Sequence, residues 1–219
     1  MFAMPWKVFS TSALVLGTLF CCLMIGVARY PVIPLEVTIA RWFQMNQRPW
    51  LVGAMGIISF LAVQGAVIGV VLVGASFWKL RWQLEAWLVV GTYVSSMVVC
   101  IALKTLINRP RPTDLLPGGM GWEGGSFPSA NVVSCLAFWG VLCAIPLRSQ
   151  RNCWWHAALL VLASLLIVLS GPARVYVGEH WISDIVGGYV FGGLMLALCV
   201  RWYRKAKART DRRDAVSGA

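Results

Sequence analysis

LEAWLVVGTYVSSMVVCIALKTLINRPRP, residues 84–112, decides how the chain folds. From Ala86 to Leu103 it carries no charge. A helix needs about 20 apolar residues to cross the hydrocarbon core of a bilayer, so this stretch reads as a transmembrane helix. It ends in Lys104, Arg109 and Arg111, with Pro110 and Pro112 stopping helical growth. Five more stretches have the same character: 8–28, 51–78, 129–147, 154–171 and 181–202. Together they predict an all-α polytopic membrane protein, a bundle of six transmembrane helices. Composition agrees: 59% of the 219 residues are hydrophobic and 12% charged, against about 25% charged in a soluble domain. Mean hydropathy is +0.74. One soluble core of this size cannot hide that much apolar surface. A disordered chain, a soluble nucleic-acid-binding domain and a secreted disulfide scaffold are excluded. The net charge of +11 then reads as orientation and contact with lipid, so the expected partner is the bilayer and not nucleic acid.

Residues 1–202 form one expected membrane domain, and 203–219 a basic cytoplasmic tail, disordered or a frayed helix end near anionic lipid. Between the first two spans, Ile33, Leu35, Val37, Ala40, Trp42 and Phe43 alternate with Glu36, Arg41, Gln44 and Arg48. That pattern predicts an amphipathic helix lying at the membrane interface. Cys21, Cys22, Cys100, Cys135, Cys143 and Cys199 fall inside apolar runs and read as small buried hydrophobes. With no CxxC and only two histidines, His156 and His180, no metal site is expected. Gly65 with Gly69, and Gly188 with Gly192, have the spacing of close helix packing. Lys and Arg number twelve on the side of both termini and seven on the other. The positive-inside rule therefore expects cytoplasmic termini, with the loops after the third and fifth spans facing outward, and the short compact chain suggests a bacterial inner membrane.

Charges are few, so their grouping matters. Three clusters fall on the outer side at helix ends: KTLINRPRP (104–112), SFPSAN (126–131) and ARVYVGEHWISD (173–184). Lys104, Arg111 and Arg174 would repel one another at a membrane boundary unless an anion completed the set. Arginine presents a fork of donors that matches phosphate oxygens. Ser129 and its neighbouring N–H groups open a helix, where anions are favoured. His180 and Asp184 are four residues apart and share a helix face. A carboxylate on one imidazole nitrogen fixes the tautomer and leaves the other nitrogen as nucleophile or base. Singly, the cations read as snorkelling side chains and the His–Asp pair as helix structure. Jointly, the three clusters predict a phosphate site.

The set resembles the signature of the type 2 phosphatidic acid phosphatases, the PAP2 superfamily: K-x6-R-P, P-S-G-H and S-R-x5-H-x3-D. Lys104 and Arg111-Pro112 meet the first part. Arg174, His180 and Asp184 meet the third, with Ala173 in place of serine. The second reads Pro128-Ser129-Ala130-Asn131. The resemblance implies a six-helix membrane lipid phosphatase with no metal or other cofactor. His180 would attack phosphorus and form a phosphohistidine, and Asp184 would orient it. Lys104, Arg111, Ser129, Ala130 and Arg174 would bind the phosphoryl group of a membrane lipid. Phosphatidic acid, phosphatidylglycerophosphate and undecaprenyl diphosphate all carry such a group.

Asn131 stands where the family has the histidine that protonates the leaving group. An amide donates a hydrogen bond but delivers no proton, and losing a general acid typically costs about 10²–10⁴-fold. Ala130 also adds a methyl where the backbone meets phosphate. Among acids on the correct side, Glu123 is the better substitute, ahead of Asp114 and Glu179, while His156 falls on the opposite face. The expectation is a phosphatase biased towards diphosphates, whose leaving phosphate needs little protonation. The alternative is a degenerate chain that binds lipid phosphates without turnover, or an engineered inactive variant. A transporter is poorly supported, because Gln64 and Lys104 aside, the spans hold few strongly polar groups.

Overall fold

The computed structural model of the protein describes residues 6–115, 124–145 and 153–217. Among these residues the chain is helical, without strands. Its elements are α1 (Trp6–Arg29), α2 (Pro34–Met45), α3 (Pro49–Lys79), α4 (Gln83–Ile107) and the short α5 (Pro112–Leu115). There follow α6 (Ala130–Cys135), a π-helical turn (Leu136–Gly140), α7 (Val141–Ala144), α8 (Cys153–Val177) and α9 (Ile182–Ser217). Five helices, α1, α3, α4, α8 and α9, are long and apolar enough to cross a membrane.

The fourth expected span is present as a shorter apolar helix, which completes the count of six among the described residues. In place of a full-length helix over 129–147, the chain forms a shorter composite, Ala130–Ala144. It stops at Ile145, whose extended backbone (φ −78°, ψ 121°) is what a residue before proline adopts, here ahead of Pro146. Shortness is tolerable because this element does not face lipid. Val132, Val133, Ser134, Cys135, Ala137, Phe138 and Val141 are all buried, and α3, α4, α8 and α9 surround it. Only helices exposed to hydrocarbon must span its full thickness.

Small residues let the helices approach. Ala62 and Ala66 of α3 are fully buried, Gly69 faces the ring of Phe138, and Gly192 faces Leu136. A Cβ at Gly188 would lie 3.0 Å from the Ser129 carbonyl oxygen, so α9 meets the backbone that opens α6 at this glycine. Both glycine pairs therefore pack against the central α6–α7 element, as their spacing predicts. Gly188→Val is expected to cost about 1–3 kcal/mol by overpacking, read as a lower melting temperature of the purified protein. Pro172 interrupts α8 and leaves a carbonyl one turn earlier without its helical N–H. Tyr189 of α9 fills the gap. Its hydroxyl donates to the Ile167 carbonyl at 2.7 Å, lies 3.0 Å from that of Val168, and accepts from the Gly171 N–H at 3.2 Å. Tyr189→Phe should cost about 1–3 kcal/mol through the stranded buried groups, again visible in melting.

The expected disordered or frayed tail is instead helical as far as Ser217, with α9 passing residue 202 unbroken. Its Ala, Lys and Arg residues are good helix formers. Glu85 at the start of α4 accepts from Tyr203 (2.8 Å) and Lys207 (2.9 Å), which ties the extension to the bundle. Cys100 and Cys135 are buried as expected, but Cys21 and Cys22 are exposed on α1, where hydrocarbon rather than protein would surround the thiols.

At the other end of the bundle, the close of α4 meets the start of α6, the close of α8 and the start of α9. Helix α2 lies over this end. Ala40 and Val37 pack on Trp181, Phe43 meets Tyr176 edge-on at 5.7 Å, and Leu35, Trp42 and Met45 stay exposed. The amphipathic reading holds, with one correction: Glu36, which looked like part of the wet face, is buried.

Candidate active site

Helix α4 ends where Asn108 turns left-handed (φ 43°) and its N–H closes on the Lys104 carbonyl at 2.9 Å. Lys104 donates its ammonium to the carbonyls of Gly125 (2.5 Å) and Ser126 (3.2 Å). Residue 125 must be glycine for this approach, since a Cβ would sit 2.5 Å from the Lys104 carbonyl oxygen. Two of three ammonium N–H groups are thereby used, and the third remains for a ligand. Beyond Asn108 the chain is non-helical, and Arg109 turns inward while Arg111 reaches the loop. Arg111 donates to the carbonyls of Gly124 (3.3 Å) and Glu179 (3.4 Å).

The third cluster owes its spacing to a helix end. Gly178, with φ +86°, ends α8 in the left-handed conformation that glycine adopts without strain. Its N–H bonds the Val175 carbonyl at 3.1 Å, and that of Glu179 bonds the Arg174 carbonyl at 3.0 Å. The chain folds back, and the Glu179 carboxylate forms an ion pair with the Arg174 guanidinium. His180 follows, 2% exposed, against Asp184 at 0%. His180 Nδ1 lies 3.4 Å from Asp184 Oδ2, which also accepts the Trp181 N–H at 2.9 Å. A carboxylate facing Nδ1 selects the tautomer with its proton there and a lone pair on Nε2. Burial holds the His180 pKa below the usual imidazole value; Lys104 and Arg111 push the same way and Asp184 opposes them. Ser129 is joined to this turn through its N–H, which bonds the Asp184 carbonyl at 3.0 Å. Its hydroxyl does not cap α6. Ser129 Oγ and Arg174 Nε are both buried without a hydrogen-bond partner among the described residues.

Lys104, Arg111, Ser129, Arg174, His180 and Asp184 are thus linked through two short segments, 124–129 and 178–184. The sequence profile of the PAP2 superfamily matches residues 85–208, more than half of the chain. The chain belongs to the PAP2 superfamily. Phosphatidylglycerophosphatase B of Bacillus subtilis (strain 168) is 25% identical over 175 residues, covering 78% of this chain and 85% of that protein. The crystal structure of a transmembrane PAP2-type phosphatidylglycerolphosphate phosphatase from Bacillus subtilis has the same fold. It gives a TM-score of 0.76 at 21% identity over 89% of this chain and 96% of that one. The crystal structure of Aquifex aeolicus LpxE gives 0.56, also at 21% identity, over 79% and 96%. As a PAP2 protein the chain is a membrane phosphatase with the all-helical architecture that its sequence predicts.

Asn131 is half-buried in the first turn of α6. The methyl of Ala130 packs against the apolar cluster of Phe20, Phe127 and Phe191, which accommodates the extra carbon expected to crowd the phosphate. Glu123 and the side chain of Asp114 lie outside the described residues. Residue 156 lies in the first turn of α8 and Arg174 in its last, about 27 Å apart at 1.5 Å per residue. Two residues absent from the expected site are built into it. Arg109 is 1% exposed and Glu36 7%. Arg109 Nη1 donates to Asp184 Oδ1 at 2.6 Å and Nη2 to Glu36 Oε2 at 2.7 Å. The usable signal was scarcity: with eight acidic residues in the chain, each one near a boundary arginine is a candidate partner.

Proposed function

We propose that this protein removes phosphate from membrane lipids, as phosphomonoesters or pyrophosphates, at the outer face of a bacterial inner membrane through a phosphohistidine on His180. The observation that carries this reading is the pair of stranded donors, Ser129 Oγ and Arg174 Nε, beside Lys104, Arg111 and His180. A buried donor without a partner costs about 1–3 kcal/mol, and a phosphoryl oxygen removes that cost. Glu179 occupies Nη1 of Arg174, so the Nε edge is left to the substrate. An apolar groove of about 910 Å³ lies between α2, α3, α8 and α9, lined by Phe43, Tyr176, Ile182 and Tyr189 among others, and suits a lipid tail. The excess of Lys and Arg on the side of the termini supports the outward orientation.

In the first step the Nε2 lone pair of His180 bonds to phosphorus. The bond from phosphorus to the lipid oxygen breaks, and its electrons leave with that oxygen. The phosphorylated imidazolium keeps its Nδ1 proton towards Asp184. Water then attacks phosphorus, the P–N electrons return to Nε2, and phosphate departs. Lys104, Arg111, Ser129 and Arg174 hold the three non-bridging oxygens, whose charge needs positioning and electrostatic stabilisation more than covalent help.

The leaving oxygen must find its proton elsewhere than Asn131. Among the described residues, Glu36, Glu179 and Asp184 are each engaged in an ion pair with arginine, so the proton comes from solvent or from Glu123, which lies outside the described residues. An alkoxide from a monoester needs that proton; a phosphate leaving from an anhydride hardly does. The test is phosphate release by the purified protein from undecaprenyl diphosphate and from phosphatidylglycerophosphate, the monoester suggested by the name of the Bacillus relative. The diphosphate should be favoured by about 10²-fold or more in kcat/KM. Equal values would reject the bias, and no release from either would favour the second reading, a lipid-phosphate binder, which Asn131 supports. Protonation of Nε2 removes the nucleophile, so activity is lost as pH falls through the His180 pKa. With that pKa lowered by burial, the acid limb of kcat/KM should lie below about pH 6.5, the ordinary imidazole value.

A further inference from the structure

Arg109 and Glu36 are not among the residues proposed to hold phosphate, yet both are firmly anchored beside Asp184. Arg109 Nε donates to the Pro31 carbonyl at 2.8 Å, and Nη1 adds the Ser183 hydroxyl at 2.8 Å to its bond with Asp184. Its guanidinium lies 5.6 Å from the centre of the Trp181 ring. Glu36 uses Oε2 for Arg109 and Oε1 to accept the Ser183 N–H at 2.6 Å. The fork of one arginine therefore joins α2 to the start of α9 and to the carboxylate behind His180.

Charge gives this arrangement a consequence. Asp184 with Arg109 alone would be a neutral pair. Glu36 makes the buried triad net anionic, on the side of the imidazole that becomes cationic once Nε2 is phosphorylated. We infer that Glu36 of α2 is a positioning residue for phosphoryl transfer: it fixes Arg109, and through it Asp184, and supplies the negative charge that stabilises phosphorylated His180. This rests on His180 being the nucleophile, as proposed above. The other charged groups acting on His180 are Lys104 from α4 and Arg111 after it, while Arg174 of α8 and Glu179 of the same turn pair with each other, and Glu36 pairs instead with Arg109.

The test compares untagged full-length wild type with Glu36→Gln and Glu36→Asp in lipid nanodiscs, measuring melting, kcat, KM and pH dependence. Glu36→Gln keeps size and one of the two hydrogen bonds but removes the charge. It should lower kcat about 10- to 100-fold with KM nearly unchanged, move the acid limb to lower pH, and be largely rescued by Glu36→Asp. A wild-type kcat and acid limb would overturn the inference, as would a rate loss that merely follows loss of folded protein. Should Glu36→Gln not fold, Arg109→Lys keeps the cation and loses the fork. It should then lower kcat with little change in KM, and a wild-type kcat would overturn the positioning chain. If the wild type itself releases no phosphate, the phosphatase reading fails and the role in phosphoryl transfer fails with it, while the charge coupling of Glu36 to His180 is read separately. The chain has two histidines, so ¹⁵N-histidine NMR, assigned with His156→Gln, reports the His180 pKa directly. A lower value in Glu36→Gln than in wild type supports the inference, and an equal one overturns it.

Discussion

His180→Ala is expected to lower phosphate release by about 10⁴-fold or more, the scale on which removing a nucleophile acts, while the protein melts close to wild type. The asymmetry follows from where the residue sits. His180 belongs to the turn between α8 and α9, and its polar contact among the described residues is the 3.4 Å approach to Asp184. Without the imidazole, Asp184 still accepts from the Trp181 N–H and from Arg109. The buried charge thus stays paired, and leaving such a charge unpaired is what makes a deletion strongly destabilising. A histidine retained only for structure would show the reverse, with lower melting and activity lost only in proportion.

Asn131→His is expected to raise turnover of a lipid monophosphate by about 10²–10⁴-fold, the usual worth of a general acid, and turnover of a lipid diphosphate far less. Asn131 is half-buried in the first turn of α6, two residues beyond Ser129, whose hydroxyl is one of the stranded donors. An imidazole there can give a proton to the oxygen that leaves phosphorus, which an amide cannot do. Measuring both substrates with both proteins separates two effects. A gain confined to the monoester places the defect at leaving-group protonation. An equal gain on both substrates would place it in binding or in the phosphorylation of His180 itself, and would reject the diphosphate bias.

Much of this architecture is legible in the sequence because hydrocarbon imposes it. Long uncharged runs must be helices, and charges placed at their ends must face water or one another. The K-x6-R-P and R-x5-H-x3-D spacings are readable because each is set locally: Asn108 turns the chain beyond α4, and Gly178 turns it beyond α8. The pairing of Glu36 with Arg109 is not local. The two residues are 73 positions apart, and each has an ordinary reading by itself, one as the wet face of an interface helix and the other as a snorkelling arginine. Only the docking of α2 over the bundle end makes them a pair. The short α6–α7 element is hidden for a related reason. Hydropathy reports how apolar a stretch is but not whether lipid or protein surrounds it. The helical tail escapes because its charges, which suggest a solvated end, also include Lys207, the partner of Glu85.

The most direct measurement is trapping of the covalent intermediate. Wild-type protein mixed with a lipid carrying ³²P in its terminal phosphate, then quenched within a turnover, should carry an acid-labile, base-stable label. Peptide mapping should place that label on His180, and His180→Ala should carry none. A label on another residue, or phosphate released at full rate with no trapped label at any quench time, would contradict nucleophilic attack by His180.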